Sequence, residues 1–298
     1  MRLVSFQKDS QERLGALVAD GILDLSGAGE RTGTRLPATM QALIDAGPKA
    51  WDNARAVIEK CPAEDIASDV RLLAPLPRPI RFRDCSLFLE HMELALAKMG
   101  KAMHPEFKRQ VIYYNADHVH TYGPEDDVPW PRASTWIDYE LEWACIVGRP
   151  GVNISKAQAR DHIFGYTILN DWSARDLQLP FMEAGLGPGA GKDFANSFGP
   201  CIATPDEFDD PYKLKMEARI NGEVWSKGAT DSMHHSFEDA VSQFSADRPL
   251  VAGELFGSGT VLRGCGFELD RRLAIGDTVE LEVEGIGILR NRVVAQTI

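Results

Sequence analysis

Between residues 138 and 147 the chain reads Asp-Tyr-Glu-Leu-Glu-Trp-Ala-Cys-Ile-Val. In a strand, alternate side chains share a face, so Asp138, Glu140 and Glu142 point one way and Tyr139, Leu141 and Trp143 the other. The segment then becomes apolar on both faces, which brings the acids to the entrance of a core. Carboxylates gathered there repel one another and are costly to desolvate. A divalent cation removes both penalties, and carboxylate oxygens suit Mg²⁺, Mn²⁺ or Ca²⁺. The alternative is an edge strand with a solvated acidic face.

Two more segments carry chemistry. Asp171 ends the β-rich run Ile-Phe-Gly-Tyr-Thr-Ile-Leu-Asn-Asp, where it can either cap the next helix or face a metal held by a neighbouring strand. Arg175 and Gln178 follow it on one helical face, and a guanidinium there could clamp a carboxylate. Further on, Gly185 to Gly191 form a glycine-rich loop ending in Lys192. Asp193 stands where a phosphate-binding loop needs Ser or Thr, which excludes an NTPase. A loop delivering one ammonium toward an acidic cluster would neutralise it and polarise a substrate oxygen.

These residues need a scaffold, and 298 residues with 44% hydrophobic and 26% charged side chains supply one of ordinary globular composition. Residues 1–75 read as a small α+β unit, with short β-prone stretches and helical spacing in TMQALIDAG and AWDNARAVIEKC. The Pro-rich PLPRP marks the boundary, and residues 76–298 form the larger unit. There the spacing predicts a helix from Asp84 to Met99, a buried strand over 139–147 and a short helix in SKAQARDH. Gly-bounded strands follow, including a hairpin turning at Asn221-Gly222. The expected fold class is α+β, with a mixed β-roll or curled sheet. The net charge of −12 opposes binding to nucleic acid or an anionic membrane. No apolar run approaches the ~20 residues of a bilayer span, and the N-terminus has no apolar signal core, so a cytoplasmic protein is expected. Five cysteines without a C-x-x-C pair predict neither a disulfide framework nor a zinc knuckle.

The ordered set DYELEWACIVG, GYTILNDWSARDLQ, GAGKDFANSFGP, the NGE hairpin, GSGTV and GDTVELEVEGIG resembles the fumarylacetoacetate hydrolase family over residues 80–298. The resemblance implies a metal centre with Glu140, Glu142 and Asp171 as ligands. It makes Asp84 a fourth ligand and His91, seven residues on, the base. Short-chain members orient that His with a Glu three residues later, but this chain has Leu94 there. Longer members use a Glu after a Gly-x-x-x stretch. Gly264-Cys-Gly-Phe-Glu268 fits, ahead of Glu90 and Glu93. Arg175, Gln178, Thr260 and Tyr114 would contact substrate, and Lys192 would balance the metal site. Asn196 replaces a Thr that serves an extra ion site in some members. Ser86 and Gly100 replace a substrate-binding Tyr and Arg, which argues against fumarylacetoacetate itself.

The implied activity is metal-dependent hydrolysis of a C–C bond in a 1,3-diketo acid, with a small anionic keto acid or diketone as substrate and a homodimer by family analogy. Met92, Met99, Met103, Phe181 and Met182 are candidates to line a pocket for a bulky or aromatic acyl chain, with core packing as the alternative. Rival readings on the same scaffold are an oxaloacetate decarboxylase or tautomerase and a keto-dienoate hydratase or isomerase. A non-catalytic metal-binding protein is the reading from another class.

Overall fold

The apolar runs of the sequence become the middle strands of one large mixed sheet. The computed structural model describes residues 1–19, 21–60, 65–67 and 70–296; Cys61 lies outside them. Across the centre of the sheet run Asn196–Ala203, Ile163–Asp171, Leu141–Val147, Glu254–Gly257, Arg81–Cys85 and Tyr113–Asn115. All these pairings are antiparallel except that of Glu254–Gly257 with Arg81–Cys85, which is parallel. Leu141–Val147 and Ile163–Asp171 are buried along their whole length. The acidic strand therefore has a neighbour on each side and is not a solvated edge.

The N-terminal strands extend the same sheet. Arg2–Lys8 pairs with Asn196–Ala203, Gln11–Val18 with Arg2–Lys8, and Gly21–Asp24 with Gln11–Val18. The predicted helices form at Met40–Ala46 and Pro48–Lys60. Their buried Leu43, Ile44, Ala54 and Val57 share one apolar cluster with Phe82, Ala144, Ile146 and Leu169 of the larger segment. Segments 1–75 and 76–298 thus share both a sheet and a core.

A second, five-stranded sheet runs Glu223–Ala229, Lys215–Ile220, Thr278–Val283, Gly287–Ala295, Asp127–Trp130. Its first hairpin turns at Asn221 (φ 53°) and Gly222 (φ 81°), the left-handed pair that a type I′ turn requires. Met216, Ala218, Leu281 and Leu289 of this sheet pack with Tyr139, Leu141 and Trp143. One face of the acidic strand is thereby committed to the second sheet, and Glu142 is left on the other. The architecture is α+β, as expected.

Two local expectations change. Asp84 is not helical: it belongs to the strand Arg81–Cys85, and the helix begins only at Leu89 and ends at Lys98. Local spacing does not register the reason, which is long-range pairing with Glu254–Gly257. Asp171 is not a helix cap, because Ala174 takes that position for the helix Arg175–Glu183.

The sheet also dictates a glycine. Gly257 lies opposite Asp84, and a Cβ there would sit 2.3 Å from Asp84 Oδ1 and 2.8 Å from Leu169 Cδ2. Gly257→Ala is expected to cost about 1–3 kcal/mol by overpacking and to displace the Asp84 carboxylate. Thermal unfolding with and without Mg²⁺ checks this: both the Tm and the Mg²⁺-induced rise in Tm should fall. An unchanged pair of values would mean that the sheet opens to admit the methyl group.

Candidate active site

Three strands converge on one point. Asp84 comes from Arg81–Cys85, Glu142 from Leu141–Val147 and Asp171 from the end of Ile163–Asp171. One carboxylate oxygen from each lies within 4.8 Å of the other two, and all three residues are buried. Asp84 Oδ1, Glu142 Oε2 and Asp171 Oδ1 have no hydrogen-bond partner among the described residues. Buried acceptors of this kind are normally satisfied, so three orphans pointing together fit a cation better than they fit a folded core. The all-oxygen donor set suits Mg²⁺, Mn²⁺ or Ca²⁺.

The other oxygens of Glu142 and Asp171 are held by the protein. Thr260 Oγ1 donates to Glu142 Oε1 at 3.2 Å, and Tyr114 Oη donates to Asp171 Oδ2 at 2.7 Å. Lys192 Nζ donates to Asp171 Oδ2 and Glu140 Oε2, both at 2.5 Å, and to the Asp171 carbonyl at 3.1 Å. Its position is fixed by Gly191, where a Cβ would strike the backbone of Gln178 at 2.4 Å.

Glu140 stands beside the three-acid cluster and outside it. Its Oε1 pairs with Arg175 Nη2 at 2.8 Å, while Oε2 takes the Lys192 ammonium. Burial acts to raise its pKa, but Lys192, then Arg175 and His91, outweigh it and hold the carboxyl down to about 2. The opposite applies to Asp84 and Glu142. Burial first, and then the neighbouring acids, push both well above the usual carboxylate range.

Arg175 spends its donors on the protein. Its Nε and Nη2 bond Asp138 Oδ2 at 3.0 and 2.8 Å, and Nη1 donates to Gln178 Oε1 at 3.0 Å. Asp138 also accepts from the backbone N–H groups of Gly266 and Phe267 at 2.8 and 2.9 Å. It thus ties the acidic strand to the short helix Gly266–Leu269. The sequence placed Asp138 among the acids but gave no sign of this distant partnership.

That short helix carries Glu268, and the helix Leu89–Lys98 carries His91. His91 Nδ1 lies 3.0 Å from Glu268 Oε2. The contact is close but off the axis of a good hydrogen bond, which leaves Nδ1 without a hydrogen-bond partner among the described residues; the other oxygen, Glu268 Oε1, has none there either. Glu268 Oε2 accepts from the Gly264 N–H at 3.1 Å and the Cys265 thiol at 3.5 Å. Glu90 and Glu93 are exposed or paired elsewhere, Glu93 with Lys108.

A cavity of about 250 Å³ opens over the acids, lined on its polar side by Asp84, Glu140, Glu142, His91, Lys192 and Thr260. Tyr114 and Gln178 also reach it. Its far wall is apolar: Phe88, Met92, Phe107, Ile112, Tyr113 and Met182. Met99 joins His91 and Phe267 around an adjoining recess of about 80 Å³. Met103 lines a separate outer groove, and Phe181 is 48% exposed. Of the five apolar candidates, then, three border this region and two do not. Asn196 is buried and donates to the Asp117 carbonyl at 2.9 Å. The described cysteines, 85, 145, 201 and 265, are free. Among the described residues no helix is long and apolar enough to cross a membrane.

The raised pKa values give a pH signature. A carboxyl that binds its proton more tightly when folded contributes stability at low pH and loses it as pH rises above its unfolded range. A divalent cation replaces those protons, so its stabilising effect should grow with pH. The Tm difference between Mg²⁺-loaded and chelator-treated protein is expected to be larger near about pH 8 than near about pH 5.5. Calorimetry in buffers of different ionisation enthalpy should detect proton release on Mg²⁺ binding. A pH-independent Tm difference would contradict the assignment of these acids to the cation.

Residues 88–294 match the family model for the fumarylacetoacetate (FAA) hydrolase C-terminal domain. An oxaloacetate tautomerase of Bacillus subtilis, YisK, is 30% identical over 268 residues, covering 87% of each chain. Among solved structures, a fumarylacetoacetate hydrolase from Exiguobacterium antarcticum is 27% identical, with a TM-score of 0.78 over 99% of this chain and 100% of its own. A 2-hydroxyhepta-2,4-diene-1,7-dioate isomerase from Mycobacterium marinum is 26% identical, with a TM-score of 0.68 over the whole of both chains. The chain belongs to the fumarylacetoacetate hydrolase family.

Proposed function

We propose that this protein hydrolyses the C–C bond of a 2,4-diketo acid whose 4-acyl group is apolar. The observation that carries the reading is the His91–Glu268 pair, 3.0 Å apart, on the rim of the cavity that holds the carboxylate cluster. A tautomerase or decarboxylase needs the cation but no group to activate water. The apolar far wall supports the substrate class, since the cations bordering the cavity and its recess, Lys192 and Arg175, are already bonded to Glu140, Asp171 and Asp138.

Asp84, Glu142 and Asp171 would hold the divalent cation, which supplies Lewis-acid polarisation of the keto-acid oxygens. Lys192 keeps Glu140 ionised and places its positive charge where enolate charge develops. Thr260 and Tyr114 fix the rotamers of Glu142 and Asp171. Gln178, with its oxygen held by Arg175, presents its amide to the cavity. Glu268 is the positioning residue: the negative charge of its carboxylate, 3.0 Å from Nδ1, favours the ring proton on that nitrogen and leaves the lone pair on Nε2. His91 takes a proton from water, and the resulting hydroxide equivalent adds to the distal carbonyl. The bond to the methylene carbon then breaks, and its electron pair enters the enolate of the pyruvate fragment. His91 returns its proton to that carbon. The products are pyruvate and the carboxylic acid of the apolar group.

A second reading, keto–enol tautomerisation of oxaloacetate, is favoured by the name of the Bacillus subtilis relative. The two are separated by proton NMR of the Mg²⁺-loaded protein with a set of alkyl- and aryl-substituted acylpyruvates, alongside an enol-absorbance assay with oxaloacetate. Paired release of pyruvate and free acid is expected. Accelerated enol decay with no cleavage of any acylpyruvate would replace hydrolysis with tautomerisation.

Two variants test the division of labour. His91→Ala should lower kcat by about 10²–10⁴-fold, the value of a general base, and leave Mg²⁺ affinity in place. Glu142→Ala should abolish both. If His91→Ala also loses Mg²⁺ binding by calorimetry, His91 is a ligand or a structural group instead.

A further inference from the structure

Cys265 has no part in the reaction just described, yet it completes a second cluster. The side chains of His91, Cys265 and Glu268 bring a ring nitrogen, a thiol and a carboxylate oxygen within 4.8 Å of one another. Nδ1 to Oε2 is 3.0 Å and Sγ to Oε2 is 3.5 Å. The edges of a tetrahedral zinc site, from its usual bond lengths, are about 3.4 Å between N and O and about 3.6 Å between S and O. The side chain of Glu268 is fully buried, and its Oε1 has no partner; His91 Nδ1 has no hydrogen-bond partner either. An unsatisfied ring nitrogen, a thiol and the Glu268 carboxylate therefore converge, with Oε2, which also accepts from the Gly264 N–H, at near-tetrahedral spacing from the other two.

The chemistry differs from that of the neighbouring carboxylate cluster. Asp84, Glu142 and Asp171 offer oxygen alone, the preference of hard cations. A nitrogen, sulfur and oxygen set selects borderline-soft ions. We propose that His91, Cys265 and Glu268 form a Zn²⁺-binding site, separate from the carboxylate centre, whose occupation switches the enzyme off. The recess lined by His91 and Phe267 reaches the His91 corner of the cluster. On binding, the thiol proton of Cys265 leaves to solvent and the thiolate becomes a ligand. The imidazole coordinates through Nδ1, so its ring proton must sit on Nε2, where it can no longer accept a proton from water. With one thiolate and one carboxylate, the occupied site is neutral. Binding stands on the geometry alone; the inhibitory half rests on the base role proposed above for His91.

The test uses Cd²⁺ as a thiolate-reporting probe for Zn²⁺. Turnover of the Mg²⁺-saturated wild type is measured first, since its absence is a failure of the proposed reaction and says nothing of this site. Cd²⁺ is then titrated into the Mg²⁺-saturated protein, following the ultraviolet thiolate-to-cadmium charge-transfer band and the residual activity together. One Cd²⁺ per chain is expected, with the band and the loss of activity rising in parallel. Cys265→Ser should abolish the band, and Glu268→Gln should weaken binding about tenfold or more. Glu142→Ala should keep the band, because the carboxylate centre is not involved. A band that survives Cys265→Ser but disappears in Cys85→Ser or Cys61→Ser overturns the site. Loss of the band in Glu142→Ala would move the ion to the carboxylates and likewise overturn it. A band without inhibition overturns the switch.

Discussion

Five carboxylates and two cations share one buried region, and most of the structure around them is arranged by that imbalance. Asp84, Asp138, Glu140, Glu142 and Asp171 are all buried, and so are Lys192 and Arg175. Arg175 bridges Asp138 and Glu140, and Lys192 bridges Glu140 and Asp171. The acids that remain uncompensated are Asp84 and Glu142, the two whose carboxyls burial and mutual repulsion push well above their ordinary range. Removing charges from water is expensive, and attraction repays it only where partners are complete. A site complete at Glu140, paired at one oxygen of Asp171 and uncompensated at Asp84 and Glu142 is therefore polarised by construction: one end is a finished ion-pair network, the other lacks a positive charge.

That division corrects a simpler picture drawn from alternation along one strand. Alternation correctly sets Asp138, Glu140 and Glu142 on a common face, but it treats them as equivalent. The fold gives them three environments. Asp138 anchors the helix Gly266–Leu269, Glu140 joins the ion-pair network, and Glu142 faces the orphaned oxygens of Asp84 and Asp171. What separates them is contributed by residues 29 to 129 positions away, and no local pattern encodes it.

Legibility follows the same rule. Leu141–Val147, the Asn221-Gly222 hairpin and the helices Met40–Ala46 and Pro48–Lys60 were readable because period and turn chemistry are local. Lys192 was readable as an ammonium on a glycine-rich loop. Asp84 was legible as a functional position only through its spacing to His91, and its strand was not, because the pairing partner Gly257 lies far along the chain. Arg175 read as a clamp for a substrate carboxylate, whereas its donors face Asp138, Glu140 and Gln178. Met103 lies past the end of the helix Leu89–Lys98, and Phe181 stands on the exposed side of the helix Arg175–Glu183.

The way the two halves of the site are joined bears on how one scaffold serves different reactions. The carboxylates stand on paired strands, where hydrogen bonds on both sides fix their spacing. His91 and Glu268 stand on two helices beside that frame. Leu141 donates its N–H to the Gly264 carbonyl at 2.9 Å, Glu140 bridges to Cys265, and Asp138 holds the N–H groups of Gly266 and Phe267. Changes at residues 265–268 can therefore move or delete the His91–Glu268 pair while the carboxylate frame stays intact. Chemistry that needs only a chelated keto acid can persist when water activation is lost, and the reverse cannot happen. Relatives that share the frame and differ in reaction are the expected outcome of that asymmetry.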